Sequence, residues 1–447
     1  MACEARRGER GDVTPELFPE DGVRVGPSPL SRRQFAAAAA ATTAAVLASA
    51  AHRALAGEGA DDHDGEARGS SSADADASSS AADVEPEQSG YDNAIDVLKT
   101  FEDATDTLVY NPLVTFELPL GSVVSSDCDT RAAVLQANDA ARPLTLIGCL
   151  DYSMGAYTIV LDHPITGEDY APSECHLTEK VIAWVEMNNA TDEWALYAAP
   201  FNGQPLSSSE DIVQLGTGDA DWLPPQFAVW ENLVVWQVMP DPSGPHVQES
   251  SRAYLWRRNS DSGKLVWTSP GRFACAPNIN AGVLTIAPRV NADKGVYYGL
   301  TAIDLENDQQ QLDQLVLPVA VRPLCATRIG DDFAFSIEAN YGYGGLLGTM
   351  GYFIGPSAGP FLNVTREPSA QITYVGDRYI VRSQLTYFVI DTRARRYGRI
   401  GSASNCVDYG DYPASSGTAQ LFVTYAAVKD ASTGIPSKVL VRLFSLS

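Results

Sequence analysis

The feature that most constrains the fold is a short apolar run that recurs about every fifty residues. Each run is rich in Val, Ile, Phe, Tyr and Trp, and several follow a turn that contains Gly, Asn or Asp. The six clearest runs begin 52, 50, 50, 45 and 42 positions apart, at Val181, Leu233, Val283, Phe333, Arg378 and Gln420. An earlier run at Leu144 fits the start of the series. This spacing predicts an all-β domain assembled from similar small sheets.

The remaining strands of each repeat predict the architecture. Second and third strands follow the repeated run, for example at 254–256 and 265–267. About four strands in a unit of 40–50 residues is typical of a β-propeller blade. Seven runs predict seven blades, with six or eight as alternatives, and the segment 107–118 is expected to supply the strand that closes the ring. A pair of β-sandwiches is the alternative fold, and a short helix near 93–102 is the expected exception.

The first 56 residues have the pattern of an export signal. Arg32 and Arg33 precede Phe35, a weakly apolar run covers 36–51, and small residues lead to Ala56. Such a pattern predicts a signal peptide, and the paired arginines indicate the twin-arginine class. A retained anchor and an ordinary surface helix are the alternatives, although the run is shorter than the roughly 20 residues of a membrane span. We expect export by the twin-arginine route to the cell envelope or the medium, and no transmembrane segment after signal removal.

Charge and composition divide the rest of the chain into a linker and one domain. Residues 57–90 are mostly Ala, Ser, Asp, Gly and Glu, which predicts a disordered linker before a propeller domain at 91–447. Residues 1–90 contain 8 Lys+Arg and 16 Asp+Glu, which leaves 23 and 40 for residues 91–447. An acidic surface repels phosphate groups, so nucleic acid and anionic lipid are not expected as partners, whereas cationic partners remain open.

Six cysteines remain after signal removal, and none forms a C-x-x-C pair. An even number in an exported protein allows three disulfides. The alternative is that they are small buried apolar residues at equivalent places in the repeat. Three of them support this alternative by their spacing of 100 and 50 residues: Cys175, Cys275 and Cys325.

The search for catalytic chemistry finds no complete motif. The mature domain has three histidines, which lack the spacing of a metal site, and no G-x-S-x-G sequence is present. His176 follows Cys175, but adjacent strand residues point to opposite faces, so a thiol pair is not expected. We therefore predict no catalytic residue, no metal site and no cofactor.

Three polar residues are the candidate ligand site. Glu186, Gln237 and Glu338 lie at or beside the ends of the repeated strands, which we expect to be the innermost strands of the blades. In a propeller these ends face the central channel, where two carboxylates could bind a cation or perform acid–base chemistry. Simple solvated channel lining is the alternative.

The seven tryptophans all lie between residues 184 and 267. Most are expected to fill the contacts between blades. Those that are exposed would form an aromatic platform for a sugar or a peptide, and the candidates are Trp222, Trp230 and Trp256.

The layout of residues 107–447 resembles the TolB-like and PQQ-type propeller families. The local match is the segment from Asp261 to Trp267, which looks like the turn-and-Trp element of PQQ-type repeats. The resemblance implies a propeller, a fold that carries many unrelated functions. We therefore predict an exported, non-enzymatic binding protein for a protein, peptide or glycan partner. A glycan hydrolase or lyase that uses channel carboxylates and a structural component of an envelope complex are the alternatives.

Overall fold

The computed structural model describes residues 93–137, 144–206, 211–290, 295–319, 321–337, 351–365, 370–383, 385–407 and 411–446. The predicted signal with Arg32, Arg33 and Ala56, and the predicted linker at 57–90, lie outside these residues. In this part of the chain, no helix has both the length and the apolar character that a membrane crossing requires.

Six sheets are each built mainly by consecutive antiparallel strands from one stretch of chain. The first contains β4 Val123–Ser125, β5 Arg131–Ala137, β6 Leu144–Asp151 and β7 Ala156–Leu161. The second contains β8 Ala171–Leu177, β9 Val181–Met187, β10 Trp194–Pro200 and β11 Val213–Gly218. The third contains β12 Gln226–Trp230, β13 Leu233–Val238, β14 Ser251–Arg257 and β15 Lys264–Ser269.

The next three sheets continue this pattern with small additions. The fourth contains β16 Asn278–Asn280, β17 Val283–Ile286, β18 Arg289–Val290, β19 Tyr297–Asp304 and β20 Gln310–Val316. The fifth contains β21 Pro323–Ile329, β22 Asp332–Ile337, β23 Gly351–Gly355 and β24 Leu362–Val364. The sixth contains β25 Thr373–Val375, β26 Arg378–Ser383, β27 Thr386–Asp391 and β28 Arg396–Gly401.

The last sheet is composite. It combines β29 Tyr412–Pro413, β31 Phe422–Lys429 and β32 Pro436–Phe444 with β3 Val114–Pro119, which pairs antiparallel with β32. The all-β propeller fold is thus confirmed. The prediction of seven blades is wrong: the structure has six blades, each from one stretch of chain, and a further composite sheet of different construction. The difference arises because the chain after β29 supplies too few strands for a sheet of its own.

The N-terminal segment adds strands to the outer edges of three sheets. Strand β1 Ile95–Asp96 pairs in parallel with β24, and β2 Glu102–Asp103 pairs in parallel with β28. Between them lies the helix α1 Val97–Thr100. Asp96 caps its N-terminus by accepting a hydrogen bond from the Lys99 N–H. The expected helix near 93–102 is therefore present as a single turn, within a segment that links the fifth, sixth and composite sheets.

Apolar side chains between neighbouring sheets form the core. Trp184 lies in the buried cluster between the first and second sheets, and Trp236 lies in the buried cluster between the second and third, as the repeat predicts. Another packs the first sheet against the composite one through Val134 and Val441. Blades cannot bury both faces alone, so these contacts stabilise the ring. Truncating one fully buried aromatic here would cost roughly 3–5 kcal/mol.

The six clearest repeated runs are the second strands of their sheets, which corrects the prediction that they are innermost, and the run at Leu144 is the third strand of the first sheet. The first strands β8, β12, β16 and β21 occupy one edge of their sheets and contact one another across sheet boundaries, so this edge faces the axis. Antiparallel order then defines two ends. The turn face carries the turns between first and second strands, such as 231–232, and the loop face carries the hairpins between second and third strands, such as 239–250.

Candidate functional site

One half of the propeller axis is filled by a neutral hydrogen-bond network around two asparagines. The Asn278 amide donates to Gln371 Oε1 at 2.9 Å and to Ser416 Oγ at 3.0 Å, and its oxygen accepts from Thr327 at 2.5 Å. Asn280 donates to the Arg328 carbonyl at 2.7 Å. Both asparagines are buried, so these partners remove the cost of burying their amides.

The segment 414–419 crosses this central region. Ser415 forms a bridge with Ser126 of the first sheet, and Thr373 donates to the Ser415 carbonyl at 2.8 Å. Strand β30 Gly417–Thr418 pairs with β25, and the Thr418 N–H donates to Asn280 Oδ1 at 2.8 Å. Because the segment touches inner edges on opposite sides of the ring, it occupies the centre between them. A ligand therefore has access from the faces rather than through this half of the axis.

The other half of the axis carries a charged cluster around His176 on β8. Its Nδ1 lies 2.9 Å from both Asp127 carboxylate oxygens, and its Nε2 lies 3.1 Å from Glu174 Oε1. The imidazole also meets the Phe227 ring edge-on, with centroids 5.0 Å apart. Three neighbouring sheets thus meet at one histidine, whose side chain is 20% exposed.

These contacts hold His176 as a cation. Burial alone lowers the pKa of His176, but the charge and hydrogen bonds of Asp127 and Glu174 outweigh it and raise the pKa to about 10. Both ring nitrogens then donate to carboxylates. An imidazolium in this state has no lone pair for a proton at neutral pH, so it cannot serve as a general base.

The cysteines do not provide a nucleophile either. All six described cysteines are free thiols in the structure. Burial raises the pKa of Cys128 to about 12 and that of Cys149 to about 11, and burial also raises the pKa of Cys175. Cys175 packs in the apolar contact between the first and second sheets, whereas His176 contacts Phe227 of the third sheet at the axis. Thiols in apolar surroundings are poor nucleophiles.

Glu186 lies at the loop-face end of β9 and is fully buried. Its carboxylate accepts hydrogen bonds from the backbone N–H of Ile165 and of Thr166, each at 2.8 Å, and from the Trp184 indole at 3.0 Å. The Thr166 hydroxyl adds a bond at 2.7 Å. Glu186 therefore anchors the connection between the first two sheets.

Gln237 lies on β13 and is fully buried, and both polar atoms of its side-chain amide lack a hydrogen-bond partner among the described residues. Glu338 lies outside the described residues. A ligand site formed by all three residues therefore stays a prediction, as does the hydrolase or lyase alternative that uses Glu186 and Glu338.

The three candidate tryptophans occupy different environments. Trp256 is 1% exposed and packs between the second and third sheets, so the prediction of an exposed platform is wrong for this residue. Its hydrophobic neighbours on β13 and β14 explain the burial. Trp222 is half-buried at the loop face, and Trp230 is half-buried at the turn face.

Trp222 forms a surface platform with His246 at the loop face. The indole and imidazole rings stack with centroids 5.3 Å apart and planes inclined by 21°. The hairpin 239–250 holds His246 there, since Asp241 N–H donates to the Asp221 carbonyl at 2.8 Å. Glu249 Oε1 lies 2.6 Å from His246 Nδ1, and Asp221 Oδ2 lies 3.9 Å from Nε2. We call these residues the Trp222 platform: Asp221, Trp222, Asp241, His246 and Glu249.

The stretch of chain that carries the Trp222 platform is acidic. Residues 181–251 contain 10 Asp+Glu and no Lys or Arg. This stretch supplies most of the second sheet and the first half of the third. The carboxylates of Asp221 and Glu249 are 41% and 50% exposed, so they act on the solvent at this face. A surface of one sign raises the local concentration of oppositely charged ligands.

Two sets of polar residues at the axis were not predicted from the sequence. Glu174 lies two residues before His176 on the same strand, so the alternation of side chains could have indicated this pair, whereas Asp127 reaches His176 only through the ring. The sequence does contain a signal for Asn278 and Asn280, since two asparagines in one short strand need hydrogen-bond partners when they are buried. The partners lie 48 to 138 residues away and could not be read from spacing.

Comparison with known proteins gives similarity at the level of structure. No protein-family model and no curated protein sequence matches the chain. The propeller domain of the Trilobed protease from Pyrococcus furiosus is 8% identical over 75% of this chain and 97% of that chain, with a TM-score of 0.46. An oligogalacturonate lyase in complex with manganese is 11% identical over 77% and 95%, with a TM-score of 0.44.

A prolyl endopeptidase structure is 13% identical over 73% of this chain, with a TM-score of 0.45. The chain spans 50% of the length of that endopeptidase. The assignment of this protein to the class of β-propellers rests on its hydrogen-bonded sheets and their shared inner edge.

Proposed function

We propose that this protein is an exported binding protein that uses the loop face of its second and third sheets to hold a cationic segment of a protein or peptide partner. The observation that carries this proposal is the Trp222 platform, an aromatic stack bordered by carboxylates. An aromatic face and nearby carboxylates together attract Lys and Arg side chains, by cation–π and ion-pair contacts. The absence of Lys and Arg from residues 181–251 leaves these carboxylates without a cation from the same stretch.

Binding fits the described residues better than catalysis. The axial histidine is held as a cation, the thiols have raised pKa values, and the Glu186 carboxylate is engaged by four hydrogen bonds. A nucleophile or general base requires a group that is free and has a pKa near the working pH. Rim loops on a rigid ring are, by contrast, a common arrangement for recognition.

The binding proposal is tested with a defined probe. An oligolysine peptide is titrated into the protein in a calorimeter at low and at moderate salt, with an oligoglutamate peptide of equal length as the control. We expect binding of oligolysine that weakens with salt and no binding of oligoglutamate. The W222A/H246A double variant should lose most of the affinity, and W230A at the opposite face should retain it. Equal affinity in both variants, or no binding of oligolysine to the native protein, would overturn the proposal.

Export is tested separately. The paired arginines support the twin-arginine route, and replacing both by lysine (R32K/R33K) keeps the charge while removing the recognised pair. We expect the variant to accumulate inside the cell. The native protein should appear outside it, with the mass of a chain that begins at Gly57. Undiminished export of the variant would argue against this route.

A further inference from the structure

A groove on the turn face lies where the second, third and fourth sheets meet. It has a volume of about 290 Å³ and is lined by Lys180, Trp230, Glu231, Asn232, Arg257 and Glu306. This volume is near the lower limit of the roughly 300–1,000 Å³ that small-molecule sites occupy. The groove is therefore of a size for one small ring rather than for a folded partner.

Local contacts hold the groove in shape. The Thr178 hydroxyl donates to the Glu231 carbonyl at 2.5 Å, which ties the turn of the second sheet to that of the third. Arg257 Nη2 donates to the Leu305 carbonyl at 2.5 Å, which ties the third sheet to the fourth. Trp230 lies over the turn of the fourth sheet, where a Cβ on Gly282 would come within 3.3 Å of its ring. The aromatic wall is thus positioned by three sheets before any ligand arrives.

The polar groups around Trp230 offer both donors and acceptors. Lys180 and Arg257 contribute cationic donors, Glu231 and Glu306 contribute acceptors, and the Asn232 amide can do both. Lys180 pairs with Glu231 across the groove. Two cations and two carboxylates give a lining with no net formal charge, unlike the acidic stretch that carries the Trp222 platform. Balanced charge favours a neutral ligand, because an ion would meet a like charge on either side.

We infer that the Trp230 groove binds a neutral sugar ring. A pyranose has apolar C–H groups on one face, which pack on an indole, and hydroxyl groups at its edge, each of which donates and accepts a hydrogen bond. The indole of Trp230 matches the face, and the mixed donors and acceptors match the edge. This site lies at the opposite end of the ring from the Trp222 platform and does not depend on it.

Fluorine NMR gives a direct test. The protein is produced with 5-fluorotryptophan, so each of its seven tryptophans gives a separate signal, and the Trp230 signal is assigned with W230F. Neutral monosaccharides and disaccharides are added at millimolar concentration. We expect at least one sugar to shift the Trp230 signal in a saturable way while the Trp222 and Trp256 signals stay in place. Failure of every neutral sugar to shift the Trp230 signal would overturn the inference.

Two variants separate binding from folding. Asn232→Ala removes a polar contact from the groove and leaves the aromatic wall, so the sugar affinity should fall several-fold while the fluorine spectrum keeps its native dispersion. Trp230→Leu keeps an apolar side chain and should abolish the saturable binding measured by calorimetry. W222A should bind the sugar with native affinity. A sugar affinity that W222A lowers and N232A leaves unchanged would contradict the assignment, and neither result bears on the oligolysine experiment.

Discussion

The two halves of the propeller axis accommodate polar side chains in different ways. Between the fourth, fifth and sixth sheets, the buried neutral amides of Asn278 and Asn280 hydrogen-bond to neutral partners. Between the first three sheets, His176 joins two carboxylates at a partly exposed position. Neutral amides can be buried once they have partners, whereas ions retain access to water because their desolvation is costly. Mutations in either half should therefore change the free energy of unfolding, and the contribution of the charged half should also depend on pH.

The largest expected effect comes from the neutral half. Replacing Asn278 by Ala leaves Thr327, Gln371 and Ser416 without a buried partner, so the free energy of unfolding should fall by roughly 3 kcal/mol. Denaturant unfolding followed by tryptophan fluorescence measures this loss. Asn189 is exposed on a hairpin of the second sheet and provides the matched control, since N189A should change the free energy of unfolding by less than about 0.5 kcal/mol. Equal losses in the two variants would contradict the assigned role of the network.

The next effect comes from the charged half. Replacing His176 by Gln removes the cation and leaves Asp127 and Glu174 facing each other, so the free energy of unfolding at neutral pH should fall by about 2 kcal/mol. The double variant D127N/H176Q should recover part of this loss, because the remaining like-charge contact is relieved. A double-mutant cycle in denaturant measures the coupling. Strictly additive losses would mean that the pair does not interact.

The pH dependence separates the two halves further. The folded pKa of His176, about 10, lies above its unfolded value of 6.5, so the stabilising contribution is fully present below pH 6.5 and is lost as the pH rises to about 10. The difference in unfolding free energy between the native protein and H176Q should therefore shrink between these values. The cost of N278A, which involves only neutral groups, should stay constant over the same range. A constant difference for H176Q would contradict the raised pKa.

The smallest effect distinguishes the two faces of β8. Cys175 is buried in an apolar contact, so Cys175→Ala should cost only about 1 kcal/mol through the small volume removed. This cost should not vary between pH 6.5 and pH 9, unlike that of H176Q on the adjacent position. Native protein should also react slowly with a thiol reagent and show all six thiols only after unfolding. Rapid modification of Cys175 in the folded protein would contradict its placement.

The sequence predicted the class of fold and the core because these depend on local patterns. The recurrence of apolar runs near Val181, Leu233 and Val283 marks one strand in every sheet, and burial of Trp184 and Trp236 follows from their place in that run. The prediction that these strands are innermost was wrong. An unbroken apolar run shows that both faces of a strand are buried, but it does not show which edge of a sheet meets the axis.

The functional residues depended on the tertiary structure to a greater degree. The sequence alone determined an acidic, strand-rich domain behind an export pattern, because composition and period are properties of neighbouring residues. Only the ring could bring Asp127 to His176, Ser416 to Asn278, and Lys180 to Trp230, since each pair comes from different sheets. It also decided that Glu186 is an anchor and Trp256 a core residue. Contacts between distant segments follow from how sheets stack, and no local pattern specifies that geometry.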